Sequence, residues 1–314
     1  MQQIRISAPA RLHLGFLDLN GDLGRTFGSL GLTLDRLKTV VTVKRAESFE
    51  VEGPGSNRAR QFATDLMKYV KREHRAHIRI DNTIPQHIGL GSGTQLLLAV
   101  GYGLSKLFDL NLDIQTIAEI AERGARSGIG IGAFKNGGFL IDSGKGADES
   151  PPTISLRAEF PEDWRILLLF DEHIQGLHGK EEIEAFRALP TFPAEKAGEI
   201  CRLTLMQLIP GLKMTDLDLF GHAIGKIQQI IGDYFSPAQG GRFISPSVTE
   251  ALQWIEEQGI QGIGQSSWGP TGFAILPSHD DARQLLEKLK SRWDKALRFE
   301  IFKGLNSGAE IDLG

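Results

Sequence analysis

Residues 85–95, Pro-Gln-His-Ile-Gly-Leu-Gly-Ser-Gly-Thr-Gln, run directly into an apolar stretch in which Leu96, Leu97, Val100, Leu104 and Leu107 recur at helical spacing. No other feature restricts the fold so strongly. The first turn of a helix carries unpaired N–H groups and a partial positive charge. Gly89, Gly91 and Gly93 remove the side chains that would keep a ligand off that backbone. The pattern predicts an anion cradle, with Gly89, Gly91, Ser92, Gly93, Thr94 and Gln95 as phosphate contacts. The plainer alternative is a glycine turn with Ser92 or Thr94 as an ordinary N-cap. No Gly-Lys-Ser/Thr follows, so the segment is not a P-loop. It also lies well after the first strand, with a helix already behind it, which excludes the Rossmann fingerprint.

Thirty-seven of the 314 residues are glycine, well above the usual ~7%. Many fall in four clusters, at 15–31, 89–103, 124–146 and 259–272, so a site assembled from distant segments is expected. With 35 Lys+Arg against 39 Asp+Glu the net charge is −4, which offers no field for polyphosphate and argues against a nucleic-acid partner. Cys201 is the single cysteine, so no internal disulfide forms, and no Cys/His cluster has zinc-site spacing. No apolar run approaches the ~18–20 residues of a membrane span. The N-terminus does not read as a signal peptide. A cytoplasmic protein with no membrane partner is the expectation.

Alternation and β-branched content predict strands over 39–43, 77–80, 138–142, 165–170, 272–276 and 298–302. Helices are predicted over 59–72, 94–108, 114–123, 181–189, 195–208, 217–231, 247–258 and 280–291. An acidic, proline-containing stretch at 148–152 suggests a division into two domains, 1–160 with the phosphate loop and 161–314.

Three segments, Pro9-Ala-Arg-Leu-His-Leu-Gly15, residues 85–95 and Gly264-Gln-Ser-Ser-Trp-Gly-Pro-Thr-Gly-Phe-Ala274, resemble the three ordered motifs of the GHMP superfamily, named for galacto-, homoserine, mevalonate and phosphomevalonate kinases. Arg11-Leu-His-Leu-Gly-Phe-Leu-Asp-Leu-Asn-Gly21, Arg126-Ser-Gly-Ile-Gly130, Phe134 and Gly137-Gly-Phe139 are closer to a non-kinase family within it, the β-ribofuranosylaminobenzene 5′-phosphate synthases of methanopterin biosynthesis. The resemblance implies a two-domain α+β fold of the GHMP-kinase kind. Its N-terminal domain is like that of a small-subunit ribosomal protein, and a ferredoxin-like domain follows. It also implies pentosyl transfer: phosphoribosyl pyrophosphate and 4-aminobenzoate or 4-hydroxybenzoate give a C-riboside, carbon dioxide and pyrophosphate. Magnesium (Mg2+) and a homodimer are further implications.

One departure separates synthase from kinase. GHMP kinases usually carry a catalytic aspartate in the glycine-containing segment after the phosphate loop, whereas Ser127-Gly-Ile-Gly-Ile-Gly-Ala-Phe134 has no carboxylate. The second serine of a kinase loop is replaced by Gly93, and Gln95 stands where a small residue is common. An ATP-dependent small-molecule kinase remains the alternative, and an RNA-binding role is disfavoured by the net charge.

Arg11, Arg25 and Arg126 border glycine clusters and could pair with phosphate or carboxylate. Asp18 could hold magnesium or ribose hydroxyls, or simply close the turn at Asn20-Gly21. His13, between two leucines on a strand, could contact a phenol or be a core histidine. Ser266, Trp268 and Gly269 could form the aromatic-acid pocket, with the indole as a stacking face.

Overall fold

A long antiparallel hairpin organises the first half of the chain. The computed structural model describes residues 2–72, 75–147, 151–176, 184 and 187–314, and residues 148–150 of the expected domain junction and much of the expected 181–189 helix lie outside that set. Strands β1 (Gln3–Asp18) and β2 (Phe27–Arg45) pair along most of their length, but between Pro9–Lys38 and Arg11–Thr33 β2 takes five steps where β1 takes two. This odd offset reverses which face of the hairpin a given register presents. Ile4–Val43 and Ile6–Val41 therefore enter one core, and Leu12–Leu32 enters another.

The sheet runs β11-β1-β2-β4-β3, with β3 (Glu50–Glu52), β4 (Ala76–Asn82) and β11 (Glu310–Leu313). Strand β5 (Phe139–Asp142) pairs with the first part of β2 and carries β6 (Ile154–Ala158) on its other edge. Helices α1 (Ser56–Tyr69), α2 (Ser92–Leu107), α3 (Ile114–Ile120) and α4 (Ile129–Lys135) cover the Ile4/Val43 face. Helix α4 stands where the sequence suggested only a glycine loop. Its glycines serve packing: a Cβ on Gly130 would meet Thr94 at 3.0 Å, and one on Gly132 would meet Ile154 at 2.8 Å.

The second sheet is antiparallel, ordered β10-β7-β9-β8, from β7 (Arg165–Phe170), β8 (Ile263–Gln265), β9 (Thr271–Leu276) and β10 (Arg298–Phe302). The apolar run of β7 is buried on both faces. Ile166, Leu168 and Phe170 join the core shared with the first sheet, and Leu167 and Leu169 join the core under α8 (Pro246–Glu257) and α9 (His279–Trp293). Between the sheets lie α5 (Ala194–Leu203), a π turn at Thr204–Leu208, α6 (Ile209–Met214) and α7 (Leu217–Gln239). The 160/161 boundary falls in the connection from β6 to β7, while β11 returns to the first sheet beside Ile4 and Ile6.

Phe220 of α7 binds the two halves together. It is fully buried, with ring centroids 5.8 Å from Phe139, 6.2 Å from Phe160 and 5.2 Å from Trp164. Truncation to Phe220→Ala is expected to cost about 3–5 kcal/mol, read as a lowered urea midpoint. A loss below 1 kcal/mol would show that this contact does not join the halves.

Candidate active site

Helix α2 begins at Gly91, whose φ of 87° makes it a left-handed N-cap with no side-chain cap. Neither Ser92 nor Thr94 caps the helix. Gly91 O accepts from the N–H groups of Thr94 and Gln95, each at 3.1 Å, which leaves those of Ser92 and Gly93 directed out of the first turn. The loop before the helix is pinned through Gly89 O, which accepts from the Arg11 guanidinium and from Ser266 Oγ at 2.7 Å. Arg11 N also donates to Leu90 O at 3.1 Å. Ser266 Oγ accepts in turn from His13 N at 3.1 Å, and Ser267 N donates to His13 O at 3.2 Å. One buried hydroxyl thus couples β1, the glycine loop and the turn after β8.

That coupling requires glycine against glycine. A Cβ on Gly269 would lie 2.4 Å from Gly89 N, and one on Gly89 would lie 2.2 Å from Ser266 O.

The result is a cleft of about 540 Å³, within the usual range for small-molecule sites. Gly89, Gly91, Ser92, Gly93 and Thr94 form its floor, and Ser267, Trp268 and Gly269 one wall. Its charged side chains are Arg11, Arg58 and Arg123, and among the described residues no carboxylate lines it. Burial lowers the Arg11 pKa to about 10, and Nε of Arg11 is buried without a hydrogen bond. Arg123 is likewise lowered to about 10, by burial first and by the like charge of Arg58 second, against a smaller opposing effect of Glu122. Burial lowers Arg58 as well. A Cβ on Gly93 would meet the Arg58 guanidinium at 2.6 Å, so that group lies directly over the first turn of α2.

A second, smaller space of about 20 Å³ adjoins the cleft and shares Ser267 and Trp268 with it. It has room for about one water. His13, Phe16, Phe235 and Phe243 contribute to its walls. The His13 ring is 3% exposed, packs edge-on to Phe16 at 4.7 Å, and has a buried Nε2 with no partner. Burial, then the charge of Arg11, pushes its pKa down to about 3. His13 is therefore a neutral imidazole at neutral pH.

Several expected contacts lie elsewhere. Gln95 is fully buried and donates from Nε2 to Gly130 O at 2.8 Å, away from the cleft. Ser266 is a fully buried tether, and Ser267 is its cleft-lining neighbour. Arg25 donates to Ser143 O and Gly144 O, both at 2.9 Å, and braces that turn. Asp18 Oδ1 accepts from Asn20 N at 2.7 Å and Gly21 N at 3.2 Å, so it closes the turn. No group of three metal-ligating side chains occurs among the described residues. The cleft lining thus holds no magnesium by carboxylates, and any Mg2+ there would have to be held largely by phosphate oxygens. Arg126 is outside the cleft lining, and Arg123, three residues earlier, is within it. Asp142, raised to about 6 by burial, accepts from Gly128 N at 2.9 Å and Gly144 N at 3.0 Å and does not line the cleft.

Arg123 was detectable as the cation bordering the third glycine cluster. Arg58 was not, because only the packing of α1 beside α2 brings it to Gly93.

Comparison with known proteins places this geometry. The profile for the GHMP kinases N terminal domain matches residues 57–138, and that for GHMP kinases C terminal matches residues 208–295. The chain belongs to the GHMP family. Beta-ribofuranosylphenol 5′-phosphate synthase of Archaeoglobus fulgidus is 33% identical over 99% of this chain and 100% of that one. The protein of that name from Methanocaldococcus jannaschii is 32% identical over 92% and 93%. Among solved structures, homoserine kinase from Cytophaga hutchinsonii superposes with a TM-score of 0.71 at 16% identity, covering 99% of this chain and 98% of that one. Mevalonate diphosphate decarboxylase from Staphylococcus aureus does so with a TM-score of 0.71 at 15% identity and the same coverages. The two-domain α+β GHMP fold is therefore common to kinases and a decarboxylase, and this family member is an enzyme whose near relatives bear a synthase name. Among the described residues no helix is long and apolar enough to cross a membrane.

The depressed His13 pKa has a stability consequence. Between pH 6.5 and about 3 the unfolded chain protonates His13 and the folded chain does not, so stability falls as pH drops below 6.5. Asp142 acts with the opposite sign between about 6 and 3.8, because its folded form holds the proton. Comparing wild type with His13→Gln cancels the Asp142 effect. From pH 7.5 to pH 5 wild type should lose about 2 kcal/mol more than the variant in urea unfolding. Equal losses would mean that His13 titrates normally.

Proposed function

We propose that this GHMP protein transfers ribosyl 5-phosphate from phosphoribosyl pyrophosphate to the ring carbon of a para-substituted benzoate, releasing pyrophosphate and carbon dioxide. The observation that carries the reading is an anion cleft with three guanidinium groups and, among the described residues, no carboxylate. Phosphoryl transfer to a hydroxyl commonly uses a carboxylate to orient or deprotonate the nucleophile. This reaction needs none. The C1–oxygen bond breaks with its electron pair leaving on pyrophosphate, and the ipso carbon donates π electrons to the cationic sugar carbon. The bond to the carboxylate carbon then breaks, its electrons restore the aromatic ring, and carbon dioxide leaves. No ring proton is removed.

The chain's part is electrostatic and positional. Ser92 and Gly93 N–H groups and the Arg11 guanidinium stabilise the departing anion. Trp268 and Phe235, 4.8 Å apart edge to face, shield the sugar cation from water. Neutral His13 accepts from the para substituent and raises its electron donation. The names of the relatives favour a phenol product, hence 4-hydroxybenzoate over 4-aminobenzoate. The product class assigns the protein to methanopterin biosynthesis. Magnesium, where bound, neutralises the pyrophosphate oxygens, and a cytoplasmic homodimer completes the reading.

Purified protein given phosphoribosyl pyrophosphate, magnesium and carboxyl-labelled 4-hydroxybenzoate is expected to release one labelled carbon dioxide per pyrophosphate. Folded protein that releases none, but phosphorylates a small alcohol with ATP, would replace the synthase reading with the kinase one.

A further inference from the structure

We infer that the cleft is polarised: the diphosphate at C1 of the sugar sits at the Arg11 end of the glycine loop, and Arg58 with Arg123 forms a separate subsite for the 5′-phosphate. The inference rests on the ribosyl-transfer reading and adds a direction to it. The two ends of the loop are attended by different cations. Arg11 Cζ lies 3.4 Å from where a Gly91 Cβ would be, whereas the Arg58 guanidinium lies 2.6 Å from where a Gly93 Cβ would be.

Arg58 and Arg123 line the same cleft, close enough for the charge of Arg58 to lower the pKa of Arg123, yet neither has a hydrogen bond or ion pair among the described residues, and Nε of Arg123 is buried unpartnered. Glu122, the neighbouring acid, is solvent-exposed. Two like charges with no carboxylate bonded to either among the described residues form a site that a dianionic phosphate completes.

The direction follows from the adjoining aromatic space. His13, two residues beyond Arg11 on β1 and with a buried, unpartnered Nε2, lines that space, and Ser267 and Trp268 border both the space and the cleft. That space has room for no more than the para hydroxyl of the acceptor, so the ring itself lies at the cleft end beside Arg11, where its ipso carbon has to meet C1. The anion leaving C1 is therefore the one beside Arg11, and the phosphate on C5, across the sugar ring, falls toward Arg58 and Arg123.

Calorimetric titration of the full chain with inorganic pyrophosphate and with ribose 5-phosphate separates the two ends. Arg58→Gln and Arg123→Gln are expected to weaken ribose 5-phosphate at least tenfold and to leave pyrophosphate within twofold, while Arg11→Gln does the reverse. Arg58 is solvent-exposed on α1, so its variant reports on binding without disturbing the core. Equal weakening of both ligands by Arg58→Gln and Arg123→Gln would show one continuous anion site and overturn the polarity. Unchanged ribose 5-phosphate affinity in those variants would overturn it too. Wild-type protein that binds neither ligand would remove the ribosyl-transfer reading along with it. Wild-type protein that binds both and releases labelled carbon dioxide, but whose variants do not separate the ligands, would remove the polarity alone.

Discussion

A single carbonyl oxygen, that of Gly89, holds the site in shape. It receives the Arg11 guanidinium from β1 and the Ser266 hydroxyl from the turn after β8, two segments brought together from opposite ends of the chain. Both donors are themselves fixed by backbone contacts: Arg11 N bonds Leu90 O, and Ser266 Oγ accepts from His13 N. The approach is possible because Gly89 and Gly269 meet backbone to backbone. Pre-set amides at the start of α2 are a consequence of this docking, and preorganised donors of that kind stabilise developing negative charge without reorganising during the reaction.

The docking has an electrostatic cost that is itself informative. Three arginines face a cleft with no acid among its described lining residues, and burial lowers the pKa of two of them to about 10. Stable proteins rarely leave partly buried guanidinium groups without an anion. The polyanionic substrate proposed above would supply the missing charge. The one strongly perturbed carboxyl nearby, Asp142, is occupied in holding the N-terminus of α4, which explains how a GHMP scaffold can retain a buried acid close to the third glycine cluster without placing it over the cradle.

Much of the scaffold was legible from sequence because its signals are local. The strands at 165–170 and 298–302 and the helix entering from Gly91 follow directly from apolar runs and glycine placement. Features set by tertiary packing were not legible. Helix α4 was hidden by glycines that propensity disfavours, and those glycines are present because Thr94 and Ile154 occupy the space of a side chain. The full length of β1 and β2 was hidden because the register offset changes the buried face partway along. In the site, the structure brings Arg11, Trp268 and Gly269 of the three motifs to one cleft, with His13 on the adjoining space. Gln95, Arg25 and Asp18 were polar residues near glycines whose partners proved to be backbone groups outside the cleft, distant in the chain for Gln95 and Arg25 and local for Asp18. Arg58 had no local signal at all, since its position depends on how one helix leans on another.

Which bond of the activated sugar breaks decides between ribosyl and phosphoryl transfer. Phosphoribosyl pyrophosphate carrying oxygen-18 at the anomeric bridging oxygen, turned over with 4-hydroxybenzoate, reports this through mass spectrometry of both products. Cleavage at C1 puts all of the label in pyrophosphate and none in the C-riboside. Label retained on the sugar, with the phosphorus–oxygen bond broken instead, would contradict the role assigned to the cleft.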